Sequence, residues 1–206
     1  MTVLLLFGER RPPTALRGLT TIELGAFGAL GAASAEAIDE ATATADRVIV
    51  VGSAADLAGV LTRLLRTERL DVEVAHLPSR SGAQRAATGA AHRVPLIRDE
   101  TGTVLVGTAL WLPADGARTI AGEAVVDDTV LFDGEVAGVQ IEPLPTMPGV
   151  RATVLTPRWQ PNRWVTGRAV QLGTTGAVVV RDGLPVPRPV RRSTFYRHTQ
   201  GWLRVS

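Results

Sequence analysis

Residues 47–65, RVIVVGSAADLAGVLTRLL, decide how the rest of the chain is read. Val48 to Gly52 is a short, β-branched, apolar run ending in glycine. Leu57, Val60, Leu61, Leu64 and Leu65 follow at helical spacings of three and four. Strand, glycine turn and helix start are the grammar of a parallel α/β sheet. In such sheets ligands bind beyond the carboxyl ends of strands, where loops meet helix N-termini. Gly52 to Asp56 is therefore the first candidate site. Gly52 suits a backbone that needs positive φ or close ligand approach. Ser53 suits an N-cap that leaves backbone N–H groups for an anion. Asp56, early in the helix, complements the macrodipole and repels a phosphate.

Outward from this unit, residues 2–7 (TVLLLF) read as a buried strand, and residues 8–14 as a loop broken by Pro12 and Pro13. Ala15 to about Ala45 is alanine-rich with a helical bias, interrupted at Gly25, Gly28 and Gly31. Leu70 to Leu77 alternates as a strand stopped by Pro78, and Gln84 to Ala91 suits one or two helical turns. After His92 the grammar changes to short strand-like runs with Gly, Pro and Asp punctuation. That pattern predicts a sandwich or barrel. Asp133-Gly134 and Asp182-Gly183 are its strongest hairpin signals. The expected architecture is a parallel α/β sheet domain over 1–92 followed by an antiparallel β-sandwich domain over 93–206. The closing strand is a candidate for return to the first domain.

Composition narrows the chemistry. The 206 residues are 45% hydrophobic and 20% charged, which is globular. There is no cysteine, which excludes disulfides, thiolate metal sites and a cysteine nucleophile. All 22 basic residues are arginine, so a Walker-type lysine and Schiff-base chemistry are excluded. The pI near 10.2 exaggerates the basicity of a chain whose net charge is +2, because lysines that titrate near pH 10 are missing. No secretory signal or membrane span is evident, and a cytoplasmic location is expected.

Charge is unevenly spread: residues 1–150 carry a net −7 and residues 151–206 a net +9. The two signs can answer each other within one subunit or between subunits of a homo-oligomer. They can also mark a basic face for an anionic partner. From Arg181 to Arg204, arginines interleave with Phe195, Tyr196 and Trp202, a pattern compatible with nucleic acid. RRSTFYRH also alternates like a strand, which would send aromatics inward.

Ser79-Arg80-Ser81-Gly82 is a second candidate site, with two hydroxyls, a guanidinium and a glycine just past a strand. His76, His92 and His198 are too scattered for a metal motif, and GxSxG is absent. Glu123, Asp127, Asp128, Asp133 and Glu135 form an acidic run that suits either a divalent metal or ordinary strand ends and turns.

In order, these pieces resemble the diacylglycerol kinase and related lipid-kinase family, whose fold is shared with NAD kinases. VIVVGSAADLAGVLTRLL stands where the family has a strand, a Gly-Gly-Asp-Gly-Thr loop and a helix. HLPSRSGAQRAA stands at its Gly-Thr-Gly-Asn-Asp loop, and VVVRDGLPVPRPV at its Asp-Gly-Glu hairpin. The resemblance covers residues 1–206 in outline; it leaves the cofactor unassigned, with ATP and magnesium as candidates, and makes a small phosphorylated ligand or lipid the candidate partner. The departures fall on the chemistry. Ser53, Ala54, Ala55 and Asp56 replace the second Gly, Asp, Gly and Thr of the first loop. The second loop keeps Pro78 and Gly82, has Ser81 in place of threonine, and lacks the Asn-Asp pair. The hairpin keeps Asp182 and Gly183 but has Leu184 in place of glutamate.

In-line phosphoryl transfer needs metal-held phosphates and a positioned base. The resemblance therefore implies a degenerate member with little or no kinase activity. Gly52, Ser53, Ser81 and Gly82 would line its ligand site, with Asp56 and Asp182 as the nearest catalytic carboxylates. The alternative is a non-enzymatic module whose arginine-rich carboxyl-terminal face binds nucleic acid or an anionic membrane.

Overall fold

Strand β1 (Thr2–Phe7) is buried from Val3 onward, and Leu4, Leu5 and Leu6 expose no surface. A run that is apolar on both faces needs cover on both sides, which is the environment of a central parallel strand. Each such leucine contributes about 2 kcal/mol by leaving water. We describe a computed structural model, which describes residues 1–25, 32–79 and 81–206. It divides into two compact units, Met1–Val94 with Gln200–Ser206, and Pro95–Thr199.

The first unit continues with β2 (Thr20–Leu24), α1 (Ala32–Ala43), β3 (Arg47–Val51), α2 (Ala54–Arg66), β4 (Glu73–Leu77), α3 (Ala83–Thr88) and β5 (Ala91–Val94). The closing strand, Trp202–Val205, returns to this unit. The sheet order is β2-β1-β3-β4-closing strand-β5. All pairings are parallel except that of the closing strand with β5. Val3 lies opposite Val48, and Val48 opposite Val74. Leu57, Val60, Leu61 and Leu64 of α2 are buried, as their spacing requires. Arg63 on α2 forms an ion pair with Asp39 on α1.

One stretch departs from the sequence expectation. Thr20–Leu24 is a strand at the edge of the sheet, paired in parallel with β1, although it sits in the alanine-rich span expected to be helical. Thr20, Thr21 and Ile22 are β-branched, and pairing with a buried neighbour outweighs the helical bias around them. Gly28 and Gly31, expected as helix breaks, lie outside the described residues.

The second unit is built from β6 (Ile97–Asp99), β7 (Val104–Leu105), β8 (Ala109–Pro113), β9 (Ile120–Val126), β10 (Thr129–Val136), β11 (Gly138–Pro143), β12 (Val150–Leu155), β13 (Val165–Gly167), β14 (Ala169–Arg181), β15 (Leu184–Pro185) and β16 (Val190–Arg197). All are antiparallel. The sheet divides along β14: Val170–Thr174 pairs with β9, and Ala177–Arg181 pairs with β8. The two leaves enclose Trp111, Ile120, Val139, Ile141, Val170 and Phe195. The expected α/β sheet followed by an antiparallel β-sandwich is the architecture found.

Asp182-Gly183 is the expected hairpin turn, with φ of 48° and 85° between β14 and β15. Both central residues at positive φ are what a two-residue hairpin of this twist requires. Asp133-Gly134 is not a turn. Both residues lie inside β10, with Asp133 opposite Glu123 and Gly134 opposite Gly122. The β9–β10 turn falls instead at Asp127-Asp128, where Asp127 takes a φ of 50°. Aspartate enters that region more readily than most residues. Here the Asp127 carboxylate accepts the amides of Arg168 and Ala169.

Candidate ligand site at the carboxyl edge of the parallel sheet

Phe7, Val51 and Leu77 end three adjacent parallel strands, so the loops after them emerge at one edge of the sheet. The amide of Gly52 donates to the carbonyl of Leu77 at 3.3 Å, tying the second loop to the third.

The turn after β3 is closed on itself. Ser53 is the N-cap of α2, and its Oγ accepts from the amide of Asp56 at 3.2 Å. In return, Oδ2 of Asp56 accepts from the amide and the hydroxyl of Ser53, each at 2.7 Å. This is a reciprocal capping box, with the acid at the third helical position. Asp56 is only 4% exposed. Gly52 is required for a reason different from the one its sequence suggests. It is absent from the positive-φ residues, but a Cβ there would stand 2.7 Å from Oδ2 and 2.8 Å from Cβ of Asp56. The space that glycine leaves is filled by the capping carboxylate.

His76, opposite Val50, donates through Nε2–H to the Gly52 carbonyl at 3.0 Å. Burial pushes its pKa below the ordinary histidine value. The hydrogen bonds to Gly52 and Ser53 oppose the shift, the Arg204 charge adds to it, and the Asp56 charge opposes it.

In the loop after β4 the hydroxyls of Ser79 and Ser81 are 2.7 Å apart. Gly82 caps α3 in the left-handed region, with φ 83°, which a glycine enters without strain. Arg80 lies outside the described residues.

The loop after β1 brings side chains that the sequence reading passed over. Arg10 donates through Nη1 to the carbonyl of Pro78 at 2.9 Å, spanning from the first loop to the third. A cleft of about 270 Å³ is lined by Glu9, Arg10, Arg11, Val51 and Ser79. A neighbouring cleft of about 430 Å³ is lined by Arg11, Thr14, Arg17 and Ala83 among others. The available signal was positional: Gly8-Glu-Arg-Arg follows the carboxyl end of a buried strand, as Gly52 does.

Asp182 belongs to the second unit. Its carboxylate accepts the amides of Val106, Gly107 and Thr108 at 3.1, 2.6 and 3.1 Å. Burial pushes its pKa up against the pull of these amides and of the Arg181 charge. The next acid in that unit, Asp99, is ion-paired with Arg181 and accepts amides from Thr101 and Thr103. Among the described residues, no three His, Asp or Glu side chains gather to hold a metal ion, the acidic run from Glu123 to Glu135 included. No helix among them is long and apolar enough to cross a membrane.

No family model matches the sequence, and no curated protein matches it either. Solved structures do match. A diacylglycerol kinase from Bacillus anthracis str. Sterne superposes with a TM-score of 0.71 at 11% identity, over 99% of this chain and 96% of that one. The fold is that of the diacylglycerol and NAD kinases. An NAD kinase from Archaeoglobus fulgidus, solved in complex with ATP, gives 0.65 at 12% identity over 100% of this chain and 94% of that one. Yeast NADH kinase, complexed with NADH, gives 0.61 at 10% identity over 100% and 83%.

Proposed function

We propose that this protein binds a nucleotide or a phosphorylated lipid at the carboxyl edge of its parallel sheet and performs little or no phosphoryl transfer. The capping box carries the reading. The acid of the turn after β3 spends its Oδ2 on the amide and hydroxyl of Ser53, inside its own helix cap. Phosphoryl transfer needs metal-held phosphates and a positioned base, and a carboxylate so engaged supplies neither. Binding needs less: backbone amides, hydroxyls and positive charge at a strand–helix edge. Gly52, Ser53, Ser81 and Gly82 frame that edge; the Gly52 amide is given to the Leu77 carbonyl and the Ser53 amide and hydroxyl to Asp56, so the donors come from the loops after β1 and β4, and Asp182 supports the hairpin of the second unit.

A thermal-shift panel of ATP, ADP, NAD, short-chain diacylglycerol and short-chain phosphatidic acid, with and without magnesium, tests the reading. At a hundredfold excess over Kd a ligand adds about 2.7 kcal/mol, an easily read shift. The expected result is stabilisation by ATP or ADP with no turnover above background. Absence of any shift at millimolar ligand overturns the binding half. Turnover abolished by Asp56→Asn overturns the other half.

The alternative, an interaction module using the arginine-rich carboxyl-terminal segment, draws less support. Phe195 and Trp202 are buried, and the Tyr196 ring is covered by the guanidinium of Arg98 at 4.6 Å. The aromatics are thus committed to packing, not presented for stacking with bases.

A further inference from the structure

We infer that the charge for this phosphate site comes from guanidinium groups in the loop after β1, in place of a carboxylate-held magnesium ion, and that the site takes a diphosphate-bearing anion in its metal-free form. The inference rests on the phosphate-binding reading above and says how that site works.

Magnesium requires oxygen ligands in near-octahedral order, usually one or two carboxylates with substrate phosphates. The carboxyl edge of the first unit is poor in them. Asp56 is turned into its own capping box, and the room beside it belongs to Gly52. Glu9 is the one carboxylate lining the two clefts among the described residues; it is exposed and sits beside two arginines. That donor set does not fit a resident divalent ion.

It fits an anion. Arg10, Arg11 and Arg17 line the clefts, and Arg11 lines both. Arg10 is held by Pro78, which uses one of its five N–H donors. Elsewhere in this unit Arg47, Arg63 and Arg69 are paired with Glu73, Asp39 and Asp71, whereas Arg66, Arg85, Arg93 and Arg204 have no carboxylate partner among the described residues and line neither cleft. Arg11 and Arg17 have no carboxylate partner among the described residues. Pro12 and Pro13 directly after Arg11 restrict the backbone that carries it, lowering the entropy lost when it grips a ligand. A planar guanidinium meets two phosphate oxygens at once, which an ammonium cannot do. One arginine shared by two adjoining clefts suits two linked phosphates better than one.

The test is titration calorimetry with inorganic phosphate, pyrophosphate and ADP, each in EDTA and in excess magnesium. Wild type, Arg11→Gln, Arg11→Lys and Glu9→Gln are compared. Arg66→Gln, at an exposed position near the end of α2, is the control. Pyrophosphate and ADP are expected to bind in EDTA at least tenfold more tightly than phosphate. Magnesium should not tighten them. Arg11→Gln should weaken them at least tenfold, Arg11→Lys by less, and Arg66→Gln not at all. Glu9→Gln should tighten the metal-free anion by removing a like charge. Binding that needs magnesium, weakens in Glu9→Gln and is indifferent to Arg11→Gln would overturn the guanidinium site and leave the phosphate-binding reading standing. Failure of every probe in both conditions would overturn the guanidinium site and the nucleotide-binding reading, and the phosphatidic acid arm of the thermal-shift panel then decides the lipid reading.

Discussion

Replacing Asp56 by alanine separates a cap from a catalytic acid. In the wild type its Oδ2 accepts two hydrogen bonds from Ser53, both at 2.7 Å, and the charge sits in the first turn of α2. Bonds to charged groups are worth about 1.5–3 kcal/mol each where the donor is buried. Ser53 is exposed, so its amide and hydroxyl regain water when the carboxylate is gone. The two exposed bonds together therefore count as about one at the low end, and with the lost macrodipole contribution of roughly 0.3–1 kcal/mol the cost is about 2 kcal/mol. Ser53→Ala removes the acceptor for the Asp56 amide and one donor to its carboxylate, at about 1 kcal/mol. Only the bond from the Ser53 hydroxyl to Oδ2 is lost in both variants. The double variant should therefore lose about 2.5 kcal/mol, not the summed 3, a coupling near 0.5 kcal/mol.

The assay is urea unfolding followed by ellipticity at 222 nm, because the helices α1, α2 and α3 all lie in the first unit. With a slope of about 2 kcal/mol per molar, Asp56→Ala moves the midpoint down by roughly 1 M. An unmoved midpoint for Asp56→Ala, or strict additivity with Ser53→Ala, would refute the reciprocal cap and return the carboxylate to the list of ligand-facing groups.

Three further changes test the surroundings. Gly52→Ala should cost about 1–3 kcal/mol, because its Cβ would press on Asp56 at 2.7–2.8 Å, and an unchanged urea midpoint would mean the turn has room that the geometry denies. His76 has a folded pKa below its unfolded value of about 6.5. The unfolded chain binds the extra proton first, so this contribution is fully present above pH 6.5 and fades as pH falls toward the depressed value. His76→Gln should flatten that dependence in urea midpoints compared at pH 7.5 and 5.5; equal slopes in both proteins would contradict the assignment. Asp182→Ala strips the acceptor from three amides and should destabilise the second unit by about 2–3 kcal/mol in denaturation followed by tryptophan fluorescence. A variant of unaltered stability that loses ligand binding would instead make Asp182 part of the site.

How much of this was legible in the sequence depends on how far each interaction reaches along the chain. The strand, turn and helix of residues 47–65 use contacts between near neighbours, and they form as read. The Ser53 cap needs only the residue three places on, and its type announces it. Thr20–Leu24 was missed because its strand state comes from pairing with β1, across a twelve-residue loop that contains Pro12 and Pro13. Asp133-Gly134 misled because a dipeptide suited to a turn does not reveal that its partner is Gly122 and not the next residue. Arg10 and Arg11 were passed over because nothing local distinguishes a loop arginine that lines a cleft from one in open solvent. Only the parallel order of β1, β3 and β4 brings their loops to one edge.

The position of one acid along a helix start is the physical ground of the proposal that this fold here binds without transferring. A carboxylate in the turn itself, before the first helical residue, projects toward whatever occupies the strand ends. At the third helical position the backbone has already completed most of a turn, and the side chain points back at the N-cap. Asp56 occupies that third position, and the geometry follows: its Oδ2 accepts the amide and the hydroxyl of Ser53, and it fills the space that a side chain on Gly52 would take. Ala54 and Ala55, the residues between cap and acid, carry no polar side-chain atom. The helix gains stability from this arrangement, and the carboxylate is turned toward its own cap. Positive charge then has to come from another element, and the arginines after β1 are the groups that the fold sets against the same strand ends.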